Sequence, residues 1–192
     1  MRIFSKLYER MMVWAEHRLA PWYLAILSFA ESSFFPIPPD VMLAPMTLAK
    51  PHKAWHYALI TTIASVLGGM LGYLIGMFAF EMIEPLIHKA GYWARFERAQ
   101  QWFSEWGFWA IFLAGFSPIP YKVFTIAAGV ISMAVPPFLI ASLIGRGGRF
   151  FLVAGIIAWG GERMEQGLRR YIDRIGWILI VAVVTLYFVI KA

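Results

Sequence analysis

A chain of 192 residues that is 60% hydrophobic and 15% charged, with a mean hydropathy of +0.66, differs from a soluble domain, where about half the residues are apolar and about a quarter charged. Its 17 Lys and Arg against 11 Asp and Glu leave a net charge of +6, but the bases flank apolar segments, which speaks for membrane orientation and against nucleic acid. The lack of cysteine excludes disulfides, thiolate metal sites and a cysteine nucleophile.

Residues 1–20 read as an amphipathic interfacial helix, with Ile3, Leu7, Met11 and Trp14 on one side, ending before Pro21. From Trp22 to Ala49 the chain is apolar but interrupted by Glu31, by Pro36, Pro38 and Pro39, and by Asp40. No helix of the roughly 20 residues needed to cross a bilayer can be drawn there, and two half-length helices fit instead. Residues 58–80 carry no charge and form the best single span. Gly68, Gly72 and Gly76 recur within it every fourth residue and give one smooth face for close helix packing.

Residues 81–105 are polar and aromatic and read as an interfacial connector that Pro85 and Gly91 break up. A second interrupted apolar stretch, 106–136, is split around Pro118, Pro120 and Lys122. Residues 138–160 form another span, which contains Arg146 and Arg149, and 175–190 a short last one. The four histidines, His17, His52, His56 and His88, sit in polar stretches without a third ligand nearby and read as surface residues, and nothing in the sequence points to a metal or other cofactor.

Pro36-Ile37-Pro38-Pro39-Asp40-Val41 is echoed by Pro118-Ile119-Pro120-Tyr121-Lys122-Val123. The chain therefore reads as an all-α integral membrane protein in a single domain: the amphipathic helix, repeat 1 over 21–80, the connector, repeat 2 over 106–160, and a C-terminal helix over 161–192. Each repeat pairs a re-entrant broken-helix hairpin with a transmembrane helix. With one full span between them the hairpins enter from opposite faces, making the repeats inverted. A cytoplasmic N-terminus places Arg2, Lys6, Arg10, Arg18, Lys50, Lys53, Arg163, Arg169, Arg170 and Arg174 inside and Lys89, Arg95, Arg98 and Lys191 outside, in keeping with the positive-inside bias.

Five ionisable residues fall at membrane depth: Glu31, Asp40, Lys122, Arg146 and Arg149. At about 2.5–3.5 kcal/mol each on insertion scales, they are expected to face the protein interior or water and to pair. Repeat alignment sets Asp40 opposite Lys122, either as a gate that opens to a proton or substrate or as a static ion pair. Glu31 reads as a proton acceptor or as a plain helix hydrogen-bonding group. Arg146 and Arg149, three apart on one helix face among Gly145, Gly147 and Gly148, suit a phosphate held by paired hydrogen bonds; pairing with Glu31 and Asp40 would neutralise them without a ligand.

Glu31 before a Pro-rich break and Asp40, followed by Phe116 to Lys122 leading to Ala128-Gly129, resembles the DedA family, the bacterial branch of the VTT (SNARE-associated) domain proteins, over roughly residues 20–160. The resemblance implies re-entrant hairpins, an acidic pair at Glu31 and Asp40, and Lys122 where many members have Arg. It also implies a multi-pass protein of the bacterial inner membrane that is not an enzyme and that moves phospholipids or undecaprenyl phosphate as flippase or scramblase, often tied to the proton motive force. Typical members carry two arginines at the second hairpin. Here Phe116 to Tyr121 has none, which places the chain nearer the short YqaA-like subgroup. The expected partners are membrane lipids, among them a phosphate-bearing lipid, and protons, with no nucleic acid and oligomerisation left open. The competing readings are a proton-coupled solute or ion exchanger, a membrane enzyme acting on lipid phosphates, and a non-catalytic membrane organiser.

Overall fold

The computed structural model describes residues 15, 17–89, 91, 93–117 and 120–161. The expected helices over 1–20 and 161–192 lie almost wholly outside these residues, as does Pro118. The described residues are helical, with no strand among them.

Helix α1, Ala20–Ser33, opens with Pro21 in its first turn, where a missing N–H costs nothing. After the break at 34–39 comes α2, Asp40–Ala49. At 14 and 10 residues the two are about 21 and 15 Å long, too short to cross a bilayer core of about 30 Å. A single 3-10 turn, Pro51–Lys53, leads into α3, Ala54–Lys89. The connector expected over 81–105 is not a separate segment, because its residues belong to the ends of two long helices. Pro85 does not break the chain but sits inside α3, near a water-exposed end where the carbonyl it leaves free can be hydrated. The turn is made at Gly91, whose φ of +70° suits a residue without Cβ. Stacked Phe80 and Phe96 rings (centroids 4.9 Å apart) brace it on either side.

Helix α4, Trp93–Phe116, ends at the second break, α5, Tyr121–Val130, follows it, and α6 runs Val135–Gly161. Two apolar helical stretches, Pro51–Met82 and Val135–Gly161, have 32 and 27 residues, enough to span. Large side chains on them point outward, among them Leu59, Ile63, Leu67, Phe78, Leu143, Leu152, Ile156 and Trp159. An apolar surface of that extent fits hydrocarbon rather than water.

Residue pairing shows how the helices run. Ser28 donates to the Thr61 carbonyl and Ser33 to that of Gly68, so α1 and α3 point the same way. Gly69 faces Tyr121 and Gly76 faces Ile126 and Val130, so α5 follows on along α3 in that direction. Helix α6 runs against α3, with Trp55 stacked on Phe151 and Tyr73 against Phe138, and runs with α4, where Phe112 meets Gly145 and Phe116 meets Gly148. The glycine face expected on α3 is a packing face: a Cβ at Gly68 would run into the Phe29 carbonyl, and one at Gly76 into that of Ile126.

Two apolar cores result. One gathers Leu24, Leu43, Met46, Tyr57 and Phe150; the other gathers Tyr73, Ile111, Tyr121 and Phe138. Between them lies a buried polar layer of Ser28, Ser32, Ser33, Thr61, Thr62, Ser65, Thr125, Ser142 and Arg146. Thr61 and Thr62 satisfy themselves on the carbonyls one turn back, the usual way for a hydroxyl to enter an apolar helix. At the far end of the second core, Tyr73 donates to the Met133 carbonyl at 2.6 Å and ties the α5–α6 turn to α3. Tyr73→Phe is expected to cost about 1 kcal/mol, read as a lowered Tm in detergent with the helical content unchanged.

Candidate functional site

The two breaks in the chain meet beside the middle of α3 and α6. Between them opens a cavity of about 380 Å³ lined by Glu31, Phe35, Pro36, Pro38, Pro39, Asp40, Pro120, Lys122, Arg146 and Arg149. All five ionisable residues singled out in the sequence line this one space. The prolines form much of its wall.

Glu31 stands on the last turns of α1 and reaches Arg146 on α6, with Nη2 to Oε2 at 2.5 Å. The side chains are 15% and 2% exposed. Arg146 Nε donates to the Ser65 hydroxyl at 2.5 Å, the Ser65 and Ser32 hydroxyls are 2.7 Å apart, and Ser32 donates to Glu31 Oε2 at 3.1 Å. With Ser65 donating to Ser32 the donors form one ring, which starts at the guanidinium and ends on the carboxylate by two routes. Such a ring is mutually reinforcing in a low dielectric. The guanidinium also lies over the Tyr121 and Phe150 rings, 4.9 and 4.6 Å from their centroids, at cation–π distance. Tyr121 is held in turn by its hydroxyl, which donates to Ser142 at 2.5 Å.

Asp40 is the first residue of α2 and pairs with Arg149, Nη2 to Oδ2 at 2.7 Å, with 25% and 21% of the side chains exposed. Its second oxygen, Oδ1, is buried without a hydrogen-bond partner among the described residues. Arg149 Nη1 donates to the Ser117 carbonyl in the second break. Lys122 shares the cavity with Asp40, but its ammonium donates to the Phe35 carbonyl at 3.2 Å. The opposition of Asp40 and Lys122 expected from the repeat alignment is thus replaced by crossed pairs, Glu31 with Arg146 and Asp40 with Arg149. The reason is geometric: α6 passes directly behind both breaks and puts its arginines closer to the acids than Lys122 is.

The glycines beside the arginines also have another role than leaving room for an anion. Gly145 lets α6 approach the Phe112 carbonyl of α4, and Gly148 rests on the Phe116 ring. All four histidines are exposed.

Sequence reasoning passed over Ser32, Ser65, Tyr121, Ser142 and Phe150. A signal for the hydroxyls was present in Ser28-Ser32 and Thr61-Ser65, spaced four apart on apolar helices, which places each pair on one helix face.

The family model described as the VTT domain matches residues 37–159. An uncharacterized protein of Haemophilus influenzae is 49% identical over the full length of both chains. Undecaprenyl phosphate transporter A of Staphylococcus aureus is 32% identical over 69% of each chain. An alkaline phosphatase-like protein of Lactococcus lactis is 31% identical over 64% of this chain and 62% of its own. No solved structure matches. With its apolar helices and its crossed ion pairs between two Pro-rich breaks, the chain is a membrane protein that belongs to the VTT domain family, the DedA proteins.

Proposed function

We propose that this protein carries a phosphate-bearing lipid across the bilayer, with the phosphate passing through the cavity between the two breaks. The observation that carries this reading is the charge of the lining. Three cations, Lys122, Arg146 and Arg149, face two carboxylates, Glu31 and Asp40, and among the described residues Lys122 is held by a backbone carbonyl and no carboxylate. A partly dry cavity with one positive charge in excess is costly unless an anion completes it, and phosphate is the anion that guanidinium and ammonium groups grip best. The name of the S. aureus relative points to the same chemistry.

In this reading α1–α2 and α4–α5 are re-entrant hairpins of two inverted repeats. Their short returning helices support it, as does the direction of the long ones, α1 running with α3 and α4 with α6 while α3 and α6 oppose. The Lys and Arg distribution supports a cytoplasmic N-terminus in the bacterial inner membrane. A phosphate that takes over an arginine leaves a carboxylate without its partner, and a proton restores the balance, so transport is coupled to protons.

The test is reconstitution. Proteoliposomes given labelled polyprenyl phosphate, or fluorescent phospholipid quenched from outside by dithionite, are expected to show protein-dependent movement of the phosphate lipid. Lys122→Gln, which removes the excess charge, is expected to slow it about tenfold, in line with the loss of a charge-assisted hydrogen bond. Liberated inorganic phosphate in the same assay, without movement, would make the protein a lipid phosphatase instead.

A further inference from the structure

The two ion pairs in the cavity are built differently, and the difference divides their work. We infer that Asp40 is the carboxylate that gives way to the incoming phosphate, which is then held by Arg149 and Lys122, while Glu31 and Arg146 stay paired as a fixed post. The inference rests on the lipid-phosphate reading above and assigns roles within that site.

Glu31 and Arg146 are joined both directly and through Ser65 and Ser32. The guanidinium lies over two aromatic rings, and 2% of that side chain is exposed. The helix that carries Glu31 is locked to α3 by the Ser28 and Ser33 hydrogen bonds and by the contact of Gly68 with Phe29. Prising this pair apart breaks several bonds at once and leaves a 2%-exposed arginine without its carboxylate.

Asp40 and Arg149 share one hydrogen bond. One Asp40 oxygen is buried with no hydrogen-bond partner among the described residues, so the carboxylate is only half satisfied there and loses little by turning away. It stands at the first position of α2, directly after Pro38 and Pro39, on a helix of ten residues that contains Pro45. Its departure frees Arg149 Nη2 in the cavity that Lys122 also lines, where the Lys122 ammonium donates to the Phe35 carbonyl of the break before α2. Arg149 keeps its orientation meanwhile, since Nη1 rests on the Ser117 carbonyl. Two cations, Arg149 from α6 and Lys122 from the start of α5, line the same cavity, and with the competing carboxylate gone they form a receptor for a phosphate monoester or diester.

The experiment is isothermal titration calorimetry of the full-length protein in neutral detergent, with monododecyl phosphate and inorganic phosphate as separate probes. Wild type, Asp40→Asn and Glu31→Gln are compared, with thermal denaturation of each. Asp40→Asn is expected to bind dodecyl phosphate about tenfold more tightly than wild type, the scale of one charge-assisted hydrogen bond released from competition, with Tm nearly unchanged. Glu31→Gln is expected to gain far less affinity and to lose several degrees of Tm. No gain in Asp40→Asn, or a larger gain in Glu31→Gln, overturns the assignment, and the first outcome decides even if Glu31→Gln does not fold. An equal gain for inorganic phosphate overturns the lipid as the source of the anion but leaves the division of the pairs standing. Absence of binding by every variant overturns the lipid-phosphate reading and this inference with it.

Discussion

Arg146→Ala is expected to destabilise the protein by about 3–5 kcal/mol and to abolish phosphate-lipid movement. The substitution removes the cation that neutralises Glu31 and the donor that the Ser65 hydroxyl accepts from. Breaking a buried pair from one side costs that much because the surviving charge stays buried without compensation. It also empties the space the side chain fills against Tyr121 and Phe150, adding a cavity to the electrostatic loss. The double variant Glu31→Gln/Arg146→Met separates the two effects. With no charge left to strand and the volume largely refilled, most of the stability is expected to return, as buried pairs replaced by apolar groups usually show. Transport is not expected to return with it, because the post that fixes α1 against α6 is gone. Denaturation in detergent followed by near-ultraviolet circular dichroism, with the liposome assay alongside, reads both. Wild-type stability in Arg146→Ala would show that the hydroxyl ring holds nothing together.

Gly129→Val is expected to be the most damaging small substitution away from the charges. A Cβ at this position meets the Tyr73 carbonyl and the Met77 amide, so no rotamer change relieves it and α5 must move off α3. Overpacking costs about 1–3 kcal/mol and occasionally more, and here it also displaces Tyr121 and Lys122 at the other end of a ten-residue helix. Loss of phosphate-probe binding is therefore expected along with a lowered Tm. Gly147→Ala is the matched control: its nearest neighbour is the Thr62 methyl carbon at 3.5 Å, an ordinary contact, and it is expected to be close to neutral in both measurements.

What could be read from the sequence follows from which interactions are local. Prolines act on the backbone beside them, so the breaks after Ser33 and Phe116, and the short helices α1, α2 and α5 beside them, follow from Pro36, Pro38, Pro39, Pro118 and Pro120. The burial cost of a charge in an apolar run depends only on its own segment, which is why Glu31, Asp40, Lys122, Arg146 and Arg149 could be picked out together and all prove to line one cavity. Partner choice is not local. Asp40 meets Arg149 because of where α6 crosses the breaks, a geometry set by the close contacts of Gly69 with Tyr121 and of Gly145 with Phe112, and aligning the repeats carries no information about that crossing. The helix through Pro85 was missed for the opposite reason: a proline near an exposed helix end is a weaker signal than the rule for interior prolines suggests. The hydroxyls of Ser32 and Ser65 have low helix preference and look incidental in sequence, and their value shows only when an arginine and a glutamate are placed at the two ends of the chain they form.

Whether the two breaks meet inside the membrane can be measured directly, because the protein contains no cysteine and a pair can be introduced without background. Phe35→Cys and Lys122→Cys, placed where the Lys122 ammonium now touches the Phe35 carbonyl, are combined in one chain and treated in native membranes with a short bis-maleimide. Efficient cross-linking within the single chain is the expected result. Two cysteines that label independently from the same side with an impermeant thiol reagent and never join to each other would contradict it.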